Sequence, residues 1–301
     1  MTFASRGRTL SREGAGSGIV ITLRNAFIDE YKDRATIDAT YTIDAASKVH
    51  PPKDDGEIHI AGRAPEIGLA TVAEIMQAQA QTRAIGQVRT LAGSGQTVSI
   101  SGAWRIWCEH AGGGPQVQGD PLEPSDTSNP DHVFEIHPVT KLGETSLAST
   151  FIPTTGYTPK LAENAFLAYE RVPATITSEN DVTTIRTEVA GNNFVEFLLR
   201  KEGDPKEVAD GRFLMASALG LDGDLVVRSR RMVFLRGTRP YTDSEGLKVG
   251  ECLQVIGIPR VDLAVVAWRA SHAQERPESA TWNLPYEIIV VASKGRRACE
   301  P

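Results

Sequence analysis

A chain of 301 residues with 41% hydrophobic and 23% charged side chains is long enough for two cored domains and too apolar to be disordered. Its formal charge of -6 is uneven, with 13 basic against 18 acidic residues over 1–150 and 19 against 20 over 151–301, so general attraction to a phosphate backbone is excluded unless a local basic patch supplies it. No run of about 18 apolar residues offers a membrane span, and three widely spaced cysteines, Cys108, Cys252 and Cys299, suit the reduced thiols of a soluble cytoplasmic protein rather than a disulfide framework or zinc motif.

Met1 to Gly18 carries three arginines without the apolar core of a secretory signal, and reads as a flexible tail. Ile19 to Leu23 and Thr36 to Ile43 alternate β-branched residues around a polar turn, Asp29 to Asp33, and predict two strands. After the breaker His50-Pro51-Pro52, Glu57-Ile58-His59-Ile60 predicts a third. The Ala- and Gln-rich stretch 71–85, with Val72, Ile75, Met76 and Ile85 roughly on one side, predicts a helix. Two strands follow, from Val98 and from Val133 to Val139, joined by a long Gly/Pro loop. Past Leu142 the chain is irregular until a short helix over Leu161 to Tyr169. Segments 175–187, 194–200, 213–218, 225–236, 251–268 and 286–292 then read as strands between Gly, Asn, Asp and Pro breaks.

Three short matches recur in the same order: Asp55 to Ile60 with Asp222 to Val227, Val98 to Ile106 with Leu253 to Val261, and Phe134 to Val139 with Tyr286 to Val291. The middle match repeats an arginine three residues after a glycine, Gly102/Arg105 and Gly257/Arg260. Five strands per copy, with a helix between the third and fourth of the first, is the element order of an OB barrel. The predicted fold is therefore all-β with minor helix, as tandem OB-like β-barrels. Its parts are a tail (1–18), barrel one (19–145), a linker with a short helix (146–172), barrel two (173–294) and a tail (295–301).

The stretch His110, Gly112, Asn129 and Glu135-Ile136-His137-Pro138-Val139, with Asp55 to His59 upstream, resembles small bacterial OB-like domains that carry a Glu-Ile/Leu-His-Pro-Val strand. The likeness covers the first half only. It departs in the longer loop 111–131 and at Pro130 and His132, and it implies a fold without implying an activity.

Two constellations carry chemistry. Strand alternation aims Glu57 with His59, and Glu135 with His137, to one face each. With His110 these make His59, His110, His137 and Glu135 candidate ligands for a divalent metal such as zinc, able to activate water in a hydrolase. The plainer account is cross-strand pairing of acid and imidazole. The second constellation is five arginines in twelve residues, Arg228, Arg230, Arg231, Arg236 and Arg239, followed by Arg260 and Arg269. With Arg105 and Trp107, the residues Arg228, Arg230, Arg236 and Arg260 form a candidate surface for single-stranded nucleic acid, another anionic ligand or a protein partner. The alternative is an arginine-laced surface paired with acids of the other domain. No phosphate loop, nucleophile elbow or HExxH motif is present.

Overall fold

A computed structural model describes residues 18–300, and all of the expected tail over 1–18 except Gly18 lies outside them. The prediction of a mostly β chain with few helices holds. No described helix is long and apolar enough to cross a membrane.

Strand β1 (Ile19–Arg24) leads into α1 (Asn25–Tyr31), so much of the expected polar turn is helix, held by burial of Phe27, Ile28 and Tyr31. The first ring follows: β2 (Thr36–Ala46), β3 (Ile58–Arg63), β4 (Thr71–Ile75), α2 (Thr82–Leu91), β5 (Thr97–Ile106) and β7 (Phe134–Leu142). The two-residue strands β6 (Gln116–Val117) and β8 (Thr145–Ser146) lie beside it in the chain. Antiparallel pairs β2–β3, β3–β4, β5–β7 and β2–β5, with the parallel pair β4–β7, close a five-stranded barrel. Residues 71–75 are thus a strand and not the start of a helix, which begins only at Thr82. Ala73 and Ile75 enter the barrel core and Glu74 alternates outward, and that period of two outweighs the helical preference of alanine and glutamine.

Beyond β9 (Lys160–Leu161) and α3 (Ala162–Tyr169), the hairpin β10 (Ala174–Glu179) and β11 (Val182–Thr187) pairs with β1, which pairs in turn with β6. This third sheet, in the order β10-β11-β1-β6, belongs to neither ring. The second ring comprises β12 (Val195–Lys201), β14 (Gly211–Leu219), β15 (Leu225–Leu235), β16 (Cys252–Val261) and β17 (Tyr286–Arg297), with β13 (Lys206–Val208) on β14. Its pairs run β12–β14, β14–β15, β15–β17 in parallel, β17–β16 and β16–β12. A short helix, α4 (Arg239–Asp243), lies in the connection between β15 and β16. The strand expected to run to Trp268 ends at Val261, because Asp262 accepts from the amides of Ala264 and Val265 and caps α5 (Leu263–His272).

An apolar layer joins the rings, with Ala35, Met76, Ala103 and Phe151 against Phe213, Val233, Ile258 and Ile289. Each fully buried Val, Ile or Phe there contributes about 1.5–3 kcal/mol. Two buried arginines cross the same seam in opposite directions. Arg105 Nε donates to Pro259 O at 2.8 Å, and Arg260 donates to Trp104 O at 3.0 Å and Ala35 O at 3.2 Å. Cys252 and Cys299 are joined in a disulfide, correcting the expectation of reduced thiols for this pair. Their separation of 47 residues carries no spacing signature. Cys108 stays free, and burial pushes its thiol up to about 12.

Candidate functional site

Register fixes what each outward face presents. On β5 and β7, Arg105 lies opposite Glu135, and on β16 and β17, Arg260 lies opposite Glu287. All four side chains are buried and each pair is hydrogen-bonded. Counting from those pairs, His137 takes the place of Ile289, Glu74 that of Val233, His59 that of Phe213 and Glu57 that of Gly211. The matches of Val98 to Ile106 and Phe134 to Val139 therefore fall on corresponding strands. The match of Asp55 to Ile60 does not, since its partner 222–227 enters β15 while β3 corresponds to β14.

In the first ring this face gathers a charged cluster. His137 is fully buried, with Nε2 3.0 Å from Glu57 Oε1 and Nδ1 3.2 Å from both Glu74 Oε2 and Glu135 Oε2. Phe194 meets the imidazole edge-on at 5.7 Å, and Tyr157 packs on Phe194 at 5.4 Å, so the 151–157 segment and the start of β12 cover the cluster. Burial works against a charged His137, but the surrounding carboxylates of Glu74 and Glu57 and the hydrogen bonds it donates to Glu135 and Glu57 hold its pKa well above the ordinary value. Burial, helped by Glu135 and Glu57, raises Glu74 well above the carboxylate range. Burial also raises Glu135, but Arg105 and the facing imidazoles of His132 and His137 outweigh it and leave that carboxyl well below its usual value. Burial lowers His59, whose Nε2 lies 3.8 Å from Glu74 Oε1.

Of the expected metal ligands, His59, His137 and Glu135 do meet around this cluster. His110 does not join it: its ring stacks on His132 at 5.3 Å. The residues whose donor atoms come together as a compact triad are Glu57, Glu74 and His137, and His50, Asp55 and His59 form a second, half-exposed triad. Glu74 was hidden by the helical reading of 71–85. The alternation in Thr71-Val72-Ala73-Glu74-Ile75 is the signal that would have found it.

The expected anion surface needs correction. Arg105, Arg260 and Trp107 are at most 1% exposed and have no face for a ligand, because the seam between the rings covers the two arginines and Tyr169 of α3 packs edge-on to Trp107 at 5.5 Å. Arg228 and Arg236 are exposed, the latter donating to the carbonyls of Ala209 and Val208. Arg230 instead lines a cleft of about 460 Å³ with Arg231, Arg269, Glu170, Asp262 and Trp282. Arg230 pairs with Glu170, Arg231 with Glu287, and Arg269 donates to Asn283 O at 2.6 Å. Trp282 is 56% exposed and Arg269 lies 5.6 Å from its ring centroid. Burial, aided by Glu287, raises the Asp262 carboxyl to about 6.

No protein-family model and no curated protein matches the chain.

Proposed function

We propose that the chain is a tandem OB-like binding protein and that it takes single-stranded nucleic acid in the cleft of the second ring. Three points support the architecture. The pairing order first-second-third-fifth-fourth-first, with the third and fifth strands parallel, occurs in both rings. Helix α2 stands between the third and fourth strands of the first. A buried glycine three residues before a buried arginine recurs on both fourth strands.

The observation that carries the ligand is the cleft. It opens where β14 and β15, the second and third strands of their ring, present Met215, Ser229, Arg230 and Arg231, and OB folds use the second and third strands to bind oligonucleotides. Three guanidinium groups face two lining carboxylates there, and each guanidinium has five N–H donors, only some of them engaged. The exposed Trp282 ring offers a stacking surface beside them. The first ring is unsuited to the same role, since a buried acid precedes its second strand, Glu57, and another lies on its third, Glu74. A hydrolytic reading of those acids meets a different obstacle. Glu57, Glu74 and His137 are each at most 5% exposed, so a substrate would have to displace their cover.

Fluorescence anisotropy with a single-stranded oligonucleotide tests the reading. Affinity is expected to fall by about 0.7 log units per log unit of salt for each phosphate engaged, and to drop at least about fivefold in Trp282→Ala, since stacking contributes about 1–3 kcal/mol per base. Absence of binding at low salt removes nucleic acid as the ligand.

A further inference from the structure

We propose that Glu57, Glu74 and His137 hold one divalent cation of the zinc or manganese kind. One donor atom from each lies within 4.8 Å of the other two, all three side chains are buried, and they come from separate strands or strand ends of a closed barrel. Two carboxylates and an imidazole are the donor set such ions take, at bond lengths of about 2.0–2.2 Å for zinc. Glu135 also lies 3.2 Å from His137 Nδ1, the nitrogen that Glu74 faces, and completes the buried cluster around the ring.

Charge is compatible with the same ion. In the forms that bind a metal, with the carboxyls ionised and the imidazole neutral, Glu57, Glu74 and Glu135 face the single guanidinium of Arg105, and a divalent cation balances the remainder. The fold does not require the cluster, because the corresponding places in the second ring are filled by Gly211, Phe213, Val233 and Ile289. Burying an ion costs several kcal/mol, so a patch this charged needs compensation the apolar version does not. Beside the cluster, His132, 1% exposed, faces Glu135 Oε1 at 3.5 Å.

The test uses the full chain without affinity-tag histidines, stripped with chelator, reloaded with zinc chloride or manganese chloride alone, and desalted before elemental analysis. Wild type is expected to retain one ion per chain and to gain thermal stability on loading. Glu74→Gln is expected to weaken binding at least tenfold. The combined variant Glu57→Ala, Glu74→Val, His137→Ile copies the second ring at two positions and puts a small apolar residue at the third, where that ring has Gly211; it is expected to stay folded where His137→Ala alone does not, and to retain no ion. His50→Ala, which breaks only the half-exposed triad, and Arg230→Ala, in the distant cleft, are expected to bind as wild type. No retained ion in wild type, equal retention in the combined variant, or loss in His50→Ala alone would each overturn the assignment.

Discussion

At one ladder position the two rings give opposite answers to the same packing problem. The face carried by β14, β15 and β17 presents Phe213, Val233 and Ile289 and is buried in the layer between the rings. The corresponding face of β3, β4 and β7 presents His59, Glu74 and His137 under Phe194 and Tyr157. Inward positions agree instead: Ile60 with Leu214, Ala73 with Met232 and Ile136 with Ile288 all enter the core. Closing the barrel thus constrains the inside and leaves the outside free. Charge on the first outside face is a choice of this sequence, made against a desolvation cost.

The largest expected effect comes from the ion pairs that the rings share. Arg260→Met removes a guanidinium from Glu287 and strips the Trp104 and Ala35 carbonyls of their donor, with an expected loss of about 3–5 kcal/mol in urea denaturation. Arg105→Met should cost less by at least about 1 kcal/mol, since it strips the Pro259 carbonyl alone of its donor, while each carboxylate keeps a further partner, Arg231 for Glu287 and the imidazoles of His132 and His137 for Glu135. Equal losses would mean that the imidazoles compensate Glu135 less well than Arg231 compensates Glu287.

Exchanging residues between the faces sharpens the same comparison. His137→Ile alone leaves three buried carboxylates with one cation, and an expected cost of about 3 kcal/mol. Adding Glu57→Ala and Glu74→Val should recover metal-free stability to within about 1 kcal/mol of wild type or above it, because apolar replacement of a buried ionic group is often neutral or stabilising. A triple variant no more stable than the single one would show that the second ring's solution does not fit the first.

Much of this contrast was legible in the sequence, in a specific way. Strand alternation located β2, β5, β7, β12 and β15, and the glycine-to-arginine spacing located the two fourth strands, because period and backbone crowding are local properties. Gly102 and Gly257 each face a side chain of the neighbouring strand so closely that a Cβ would lie within 3.0 Å of Ile136 Cγ2 or Ile288 Cγ2. What stayed hidden depends on what covers a surface. Arg105 and Trp107 occupy an outward, polar-looking face that distant parts of the chain bury, the second ring over Arg105 and Tyr169 of α3 over Trp107. The pairing of β1 with β11 joins residues more than 150 apart, with no local sign. Glu74 was lost to composition, since alanine and glutamine around it favour helix while its own burial favours strand.

A covalent tie also separates the rings, since among the described residues only the second has one. Cys252→Ala with Cys299→Ala frees the end of β17 from the start of β16, with an expected loss of about 2–4 kcal/mol confined to the second ring. Hydrogen exchange resolves the two rings, and uniform loss of protection across both would contradict that confinement.

The smallest effect is a pH dependence in the cleft, where one acid sits among the guanidinium groups. Asp262 is raised from 3.8 to about 6 by burial and by Glu287, against the pull of Arg231. The folded pKa exceeds the unfolded one, so the group's contribution to stability is full below about 3.8 and is lost as pH rises through about 6. The same proton governs binding. Below pH 6 the neutral acid leaves Arg230, Arg231 and Arg269 opposed by Glu170 alone among the lining carboxylates, while above it Asp262 offsets one of them. Oligonucleotide affinity is therefore expected to fall by about 1 kcal/mol, roughly fivefold, between pH 5 and pH 7.5. Asp262→Asn should hold the low-pH affinity throughout, and its amide oxygen can still accept from the Ala264 and Val265 amides that Asp262 caps. A pH profile that is the same in wild type and Asp262→Asn would place the titrating group elsewhere and take Asp262 out of the cleft's electrostatics.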